Sequence, residues 1–173
     1  YFPPADDVTT KERSVVRSAS MELGVDDVGA KVTEATAYVA SINGLVTNSS
    51  VNKYEKTVVG SMQIRVPEAK FDEAVAWLQQ NVKEVISLSV SSYDQTGQVV
   101  KTKNRLEDLK IQEAEYQQLL DEAETTADKL RLQRQLEQIR QQIANWQDQE
   151  QQMEDQAAMS SIYVSYRKQA FKL

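Results

Sequence analysis

The sequence predicts an α+β fold: a ferredoxin-like βαββαβ body with a long antiparallel coiled-coil hairpin inserted before a final strand. Three observations carry this. Four segments before Asp94 alternate apolar and polar residues at period two, with two helical stripes between them. After Asp94 come two long series at alternating spacings of three and four. Alternation then returns at Met159.

Residues 1–12 hold Pro3, Pro4 and several acids without apolar periodicity, which predicts a flexible lead-in. The first strand, β1, is expected over 13–25, with Val15, Ala19, Met21, Leu23 and Val25 inward and Ser14, Ser18, Ser20 and Glu22 outward. Asp26 and Asp27 supply N-cap oxygens for a helix, α1, whose stripe is Val28, Val32, Ala35, Val39 and Ile42. Asn43-Gly44 ends it, with Gly44 able to take the positive φ of a C-terminal cap. Strand β2 is expected over 45–54, polar in its middle, and β3 over 57–66, with Val58, Met62, Ile64 and Val66 on one face and a turn at 52–56 between them. Pro67 suits the first turn of α2, which buries Phe71, Val75 and Leu78 and runs to about Asn81. Strand β4, 82–93, places Val82, Ile86, Leu88 and Val90 in phase. Two helices on one face of a four-stranded antiparallel sheet, the split βαβ arrangement, accommodate this order with right-handed crossovers.

The hairpin is expected over 94–157. Its first seam reads Val99, Thr102, Leu106, Leu109, Glu113, Tyr116, Leu120 and Ala123, and its second Leu132, Leu136, Ile139, Ile143, Trp146, Glu150, Met153 and Ala157. Thr125, Thr126 and Asp128 interrupt the stripe and can cap a new helix, so the chain reverses near 123–127. Each arm of about 30 residues extends roughly 45 Å. Glu113 and Glu150 sit at seam positions, where packed stems with solvated carboxylates are the ordinary reading and a polar layer is the alternative. The outer faces are rich in glutamine, which favours helix and selects partners weakly. Met159 to Lys168 reads as a fifth strand, β5, with Ile162, Val164 and Tyr166 opposing Tyr163, Ser165 and Arg167. The division expected is therefore a lead-in (1–12), a body (13–93 with 158–173) and the hairpin (94–157).

Composition narrows the chemistry. The chain has no histidine and no cysteine, which removes imidazole bases and thiolate or imidazole metal ligands from this segment. A net charge of −6 and a pI near 4.8 oppose binding to phosphate backbones, so nucleic acid is not an expected partner. No catalytic constellation, metal site or cofactor motif stands out. Asp26-Asp27 fits helix capping, and Ser87, Ser89, Ser91 and Ser92 are strand positions rather than nucleophiles beside a base. Trp77 and Trp146 fall in helical stripes and are expected to pack. Lys101, Lys103 and Arg105 form a basic cluster near the start of the first arm, where the helix dipole disfavours cations; they are the candidate contact for an acidic partner, beside the plainer reading of surface salt bridges. The chain opens on Tyr1 rather than Met and contains no apolar run long enough to span a bilayer, so the expectation is a trimmed segment with any membrane anchor outside it.

The stretch from Arg13 to Lys168 resembles the bacterial and archaeal domain family DUF4349. The likeness lies in the opening strand from Arg13-Ser14-Val15-Val16-Arg17 to Met21-Glu22-Leu23, in Ile64-Arg65-Val66-Pro67 with Phe71, in Tyr93-Asp94-Gln95-Thr96, in Asn104-Arg105-Leu106 and in Ser161-Ile162-Tyr163-Val164. At Asp94-Gln95-Thr96 the chain departs from that family's usual acid-Val-Thr wording. The resemblance implies a cell-envelope protein, commonly with an export or lipoprotein signal and a transmembrane helix after the last strand, and implies no reaction.

Three functional expectations follow. The first is a non-enzymatic extracytoplasmic interaction module, membrane-tethered in the full-length protein, that presents the hairpin to a protein partner or to a second copy. The second is an envelope ligand sensor whose sheet face holds a ligand near Ser87, Ser89 and Ser91 or near Arg17 and Arg65, with the hairpin as transmitter. The third is a carboxylate enzyme acting on envelope glycans, which needs two acids facing one cleft about 5 to 9.5 Å apart.

Overall fold

The structure, a computed structural model, describes residues 13–80 and 82–169. The lead-in expected over 1–12 and the expected end of α2 at Asn81 lie outside the described residues. The elements are β1 (Val15–Gly24), α1 (Val28–Ser41), β2 (Leu45–Tyr54), β3 (Thr57–Pro67), a single 3-10 turn (Glu68–Lys70), α2 (Phe71–Gln79), β4 (Glu84–Asp94), α3 (Thr96–Glu122), α4 (Thr126–Ala158) and β5 (Met159–Gln169). They make a mixed α+β chain with a five-stranded sheet and four α-helices. The described residues divide into two compact units: one joins residues 13–14 with Asp94–Asp155, the other joins Val15–Tyr93 with residues 156–169.

In the sheet unit the strand order is β2-β3-β5-β1-β4. This corrects the simple ferredoxin-like arrangement, in which β3 lies directly beside β1. Here β5 separates them, parallel to β1 and antiparallel to β3. Its inward residues explain the position. Ile162, Val164 and Tyr166 are 2% exposed or less, and register places them between Ala19, Met21 and Leu23 on β1 and Ile64, Met62 and Gly60 on β3. A strand that brings this much apolar surface gains most where neighbours flank it on both sides.

Helices α1 and α2 cover that face through Val28, Ala35, Val39, Phe71, Ala74 and Leu78, with Tyr38 stacked on Trp77 at 4.0 Å between centroids. Asp27 caps α1, its Oδ1 accepting from Ala30 N at 3.1 Å. At the other end Asn43, not Gly44, takes the positive φ of 62°. Gly44 answers a different need: a Cβ there would stand 2.7 Å from Val39 Cγ1 and 2.9 Å from the Arg65 carbonyl. Pro67 closes β3 in extended geometry and hands over to the 3-10 turn, instead of opening α2. In α2 the third fully buried residue is Ala74, and Val75 is only half-buried.

Strand β4 departs furthest from expectation. Ile86, Leu88 and Val90 are in phase but not buried; every residue of β4 is exposed, because the strand lies at the end of the sheet. Lys83 N donates to Gly24 O at 3.0 Å, and Ser91 Oγ lies 2.8 Å from Ser18 Oγ, so β4 runs antiparallel to β1.

In the helical unit, α3 and α4 pack through one apolar cluster. Leu106, Leu109, Ile139 and Ile143 form its buried centre, with Tyr116 and Trp146 against it. Thr125 turns the chain between the helices, its Oγ1 accepting from Asp128 N and its carbonyl from Lys129 N. Neither helix contains an interior proline, and Gly97 lies in the first turn of α3, so propensity and packing agree along both.

Candidate functional site

The helical unit begins at a compact polar joint. Asp94 ends β4, and its Oδ1 accepts from both the amide of Thr96 at 2.9 Å and its hydroxyl at 2.5 Å, a short side-chain-to-backbone turn of the kind aspartate favours. Those two bonds, the hydroxyl first, hold the Asp94 carboxyl below its ordinary range, with the Arg13 guanidinium 3.0 Å away as a lesser cause. Gln95 is only 3% exposed, and its amide nitrogen donates to Ser14 Oγ at 2.8 Å and to the Met153 carbonyl at 2.7 Å. Its backbone N donates to Ser14 O, and Ser14 N donates to Thr96 Oγ1. Gln95 thus ties the start of α3 to the last turns of α4. Sequence reading named the Asp94-Gln95-Thr96 triplet only for its wording. A polar residue one position before a helix, beside a capping acid, is the local signal that was available.

Beyond the joint, the expected seam residues share one side of each helix. Leu106, Leu109, Leu132, Leu136, Ile139, Ile143 and Met153 are buried, whereas Tyr116, Leu120 and Trp146 are half-buried. Thr102 is also buried, its hydroxyl donating back to the Gln98 carbonyl at 2.9 Å. Glu113 is half-buried and faces Arg140 Nε at 3.7 Å, while Arg140 Nη2 donates to Gln117 Oε1 at 3.1 Å. One arginine therefore spans the two helices, and this polar clip answers for Glu113. Away from the seam, Val100, Ile111, Leu119 and Leu130 are exposed apolar residues on an otherwise polar surface.

Lys101, Lys103 and Arg105 are all exposed, and none of the three forms an ion pair among the described residues. At roughly 100° per residue, Lys101 and Arg105 share one flank of α3 while Lys103 falls toward the other. The cluster in sequence is therefore not one patch on the helix, which weakens it as a single contact for an acidic partner.

The sheet candidates also separate. Arg17 lies on the helix-covered face, 4.5 Å over the Phe71 ring, with Asp72 Oδ1 at 3.3 Å and Glu68 Oε1 at 3.7 Å. Arg65 lies on the other face, where its Nη2 donates to Met159 O at 3.1 Å. The two arginines cannot border one pocket. The uncovered face carries polar pairs: Glu22 with Arg167 at 3.2 Å, Gln63 with Tyr163 at 3.2 Å, and Ser18 with Ser91. Ser87 and Ser89 are exposed on β4. Asp27 is occupied as a cap and Asp26 faces Lys83 at 3.4 Å, which accounts for the adjacent acids. Among the described residues no group of three acids is placed to hold a metal ion, and no helix is long and apolar enough to cross a membrane.

No curated protein and no solved structure matches the chain. A family profile does: that of the Domain of unknown function (DUF4349) matches residues 13–172, taking in every strand and helix described above. The chain belongs to the DUF4349 family.

Proposed function

We propose that this chain is a non-enzymatic interaction module of the cell envelope, tethered to the membrane in the full-length protein, and that α3 and α4, closed as an antiparallel coiled-coil hairpin, are the part presented to a protein partner. The observation that carries the reading is how the helices spend their apolar residues. Leu106, Leu109, Ile139 and Ile143 go into a single shared cluster, Gln95 and Arg140 clip the pair together, and Val100, Ile111, Leu119 and Leu130 are left exposed on the outside. Such isolated apolar residues on a polar helical surface are anchors of the kind helix-mediated contacts use. We also read the body as an elaborated ferredoxin-like sheet: with β5 removed, the strand order becomes β2-β3-β1-β4, that of the split βαβ arrangement.

The sensor reading draws on the uncovered polar face, where Glu22, Arg167, Gln63 and Tyr163 offer a ligand charged and hydroxyl groups on neighbouring strands. One experiment separates the two. A photo-crosslinking residue at Leu119 or Leu130 of the full-length protein, in native membranes, is expected to yield a discrete adduct with a second protein, and the same residue at Gln63 is not. Adducts at Gln63 alone favour the sensor. A full-length chain that fractionates away from membranes overturns the tethered reading.

A further inference from the structure

We propose that the free edge of β4 pairs with the β4 edge of a second copy of this chain, antiparallel and centred on Leu88. The inference rests on the sheet alone and stands independently of the role given to the helices.

The two edges of the sheet are built differently. β2, at one end, is interrupted by a bulge between Val46 and Asn48, carries Asn48, Ser49, Ser50 and Asn52, and has Lys53 next to its last residue. Bulges, polar side chains and lysine are how natural proteins keep an exposed strand from adding another. β4, at the other end, shares the polar side chains, as serines, but carries no lysine. From Val85 to Tyr93 it contains no charge, no proline and no glycine. Val85, Ile86, Leu88, Val90 and Tyr93 are 38 to 55% exposed, and among the described residues β1 is the strand's one neighbour.

The sequence of the edge selects its occupant. Ile86-Ser87-Leu88-Ser89-Val90 reads almost the same in both directions, with apolar residues at 86, 88 and 90 and serines between. A two-fold axis perpendicular to a sheet brings residues of like face together, so antiparallel self-pairing must be centred on one residue. Centred on Leu88, it sets Leu88 against Leu88, Ile86 against Val90, Ser87 against Ser89 and Glu84 against Ser92. Centred one residue later, on Ser89, it sets Glu84 directly against Asp94, and like charges directly opposite are destabilising. The acids that bracket the strand therefore disfavour the Ser89 register; centring on Ser87 sets Ile86 against Leu88 but Glu84 against Val90, so the Leu88 register brings the most apolar residues together.

The chain has no cysteine, so single engineered thiols report the register cleanly. Directly opposed residues have Cβ atoms roughly 4.5 to 5.5 Å apart, near disulfide reach, whereas diagonal ones lie roughly 7 to 8 Å apart. Under mild oxidation Leu88→Cys is expected to give a linked dimer several-fold more efficiently than Ser89→Cys or Gln118→Cys. A mixture of Ile86→Cys and Val90→Cys chains is expected to give mainly the mixed product. Leu88 is already exposed, so Leu88→Lys should fold; its self-opposed charge is expected to raise the dimer dissociation constant about tenfold or more in sedimentation equilibrium. Equal crosslinking at Ser89 and Leu88 overturns the register. An unmodified chain that sediments as a monomer throughout, or a dimer unaffected by Leu88→Lys, overturns the pairing.

Discussion

Replacing Leu109 by alanine tests whether the α3–α4 seam holds the helical unit together. Leu109 is 1% exposed and sits in the cluster with Leu106, Ile139 and Ile143. Truncating a buried leucine removes its transfer free energy and leaves a cavity, together about 2 to 5 kcal/mol. A two-helix seam relaxes more readily than a globular core, which places Leu109→Ala near ~3 kcal/mol, or about a hundredfold in the unfolding equilibrium. Leu119 sits on the same helix with the same side chain but is 51% exposed, so Leu119→Ala should change stability by no more than about 0.5 kcal/mol. The assay is urea unfolding followed by Trp146 fluorescence, because Trp146 packs on the same cluster. A Trp77→Phe background silences the tryptophan of the sheet unit while keeping an aromatic ring against Tyr38. Equal effects of the two alanine substitutions, or a cost below about 0.5 kcal/mol at Leu109, would refute the assignment of the seam.

Gln95→Ala deletes two hydrogen bonds from a buried amide, each contributing roughly 0.5 to 1.5 kcal/mol, so thermal unfolding should show a loss of about 2 kcal/mol; an unchanged midpoint means the joint contributes nothing. Burial, with the charge of Glu34 as a lesser cause, pushes the Tyr166 hydroxyl up to about 12. A raised pKa means that the unfolded chain releases this proton first, so the stabilisation is intact below about pH 10 and is lost as pH rises from there through about 12. Tyr166→Phe should flatten that alkaline decline in a pH series of urea midpoints, and an identical slope in both chains counts against it.

The helices were the most legible part of the chain, because a three-and-four rhythm records on the helix itself which side is covered. Leu106, Leu109, Leu132, Leu136, Ile139 and Ile143 could be read without knowing what lies beyond the partner helix. Strands record less. Alternation in Ile162, Val164 and Tyr166 shows that one face is buried, but the neighbours on either side are chosen by backbone hydrogen bonds that every sequence can make. Nothing local distinguishes insertion between β1 and β3 from addition at an edge. The same ambiguity misled the reading of β4, where Ile86, Leu88 and Val90 have the pattern of a buried face but no helix over them. Gln95 was illegible for another reason: its partners, Ser14 and Met153, come from residues 81 before it and 58 after it.

The central place of β5 makes the end of the chain decisive for its beginning. Strand β5 is the only described strand bonded to both β1 and β3, so without it the sheet falls into two pairs, β2 with β3 and β1 with β4. An isolated two-stranded ribbon is marginal in water, and here each pair would also expose apolar residues now buried against Ile162, Val164 and Tyr166. The helices depend on near neighbours and on each other, contacts that form early and need no strand. Ending the chain at Ala158 should therefore abolish the sheet unit, seen as loss of the Tyr38–Trp77 near-ultraviolet signal, while most of the helical signal of α3 and α4 persists. A truncated chain that keeps a protected sheet by amide exchange would show that β1 and β3 can pair directly, as in the simple ferredoxin order. The body would then be complete before the helices, and β5 an addition to it.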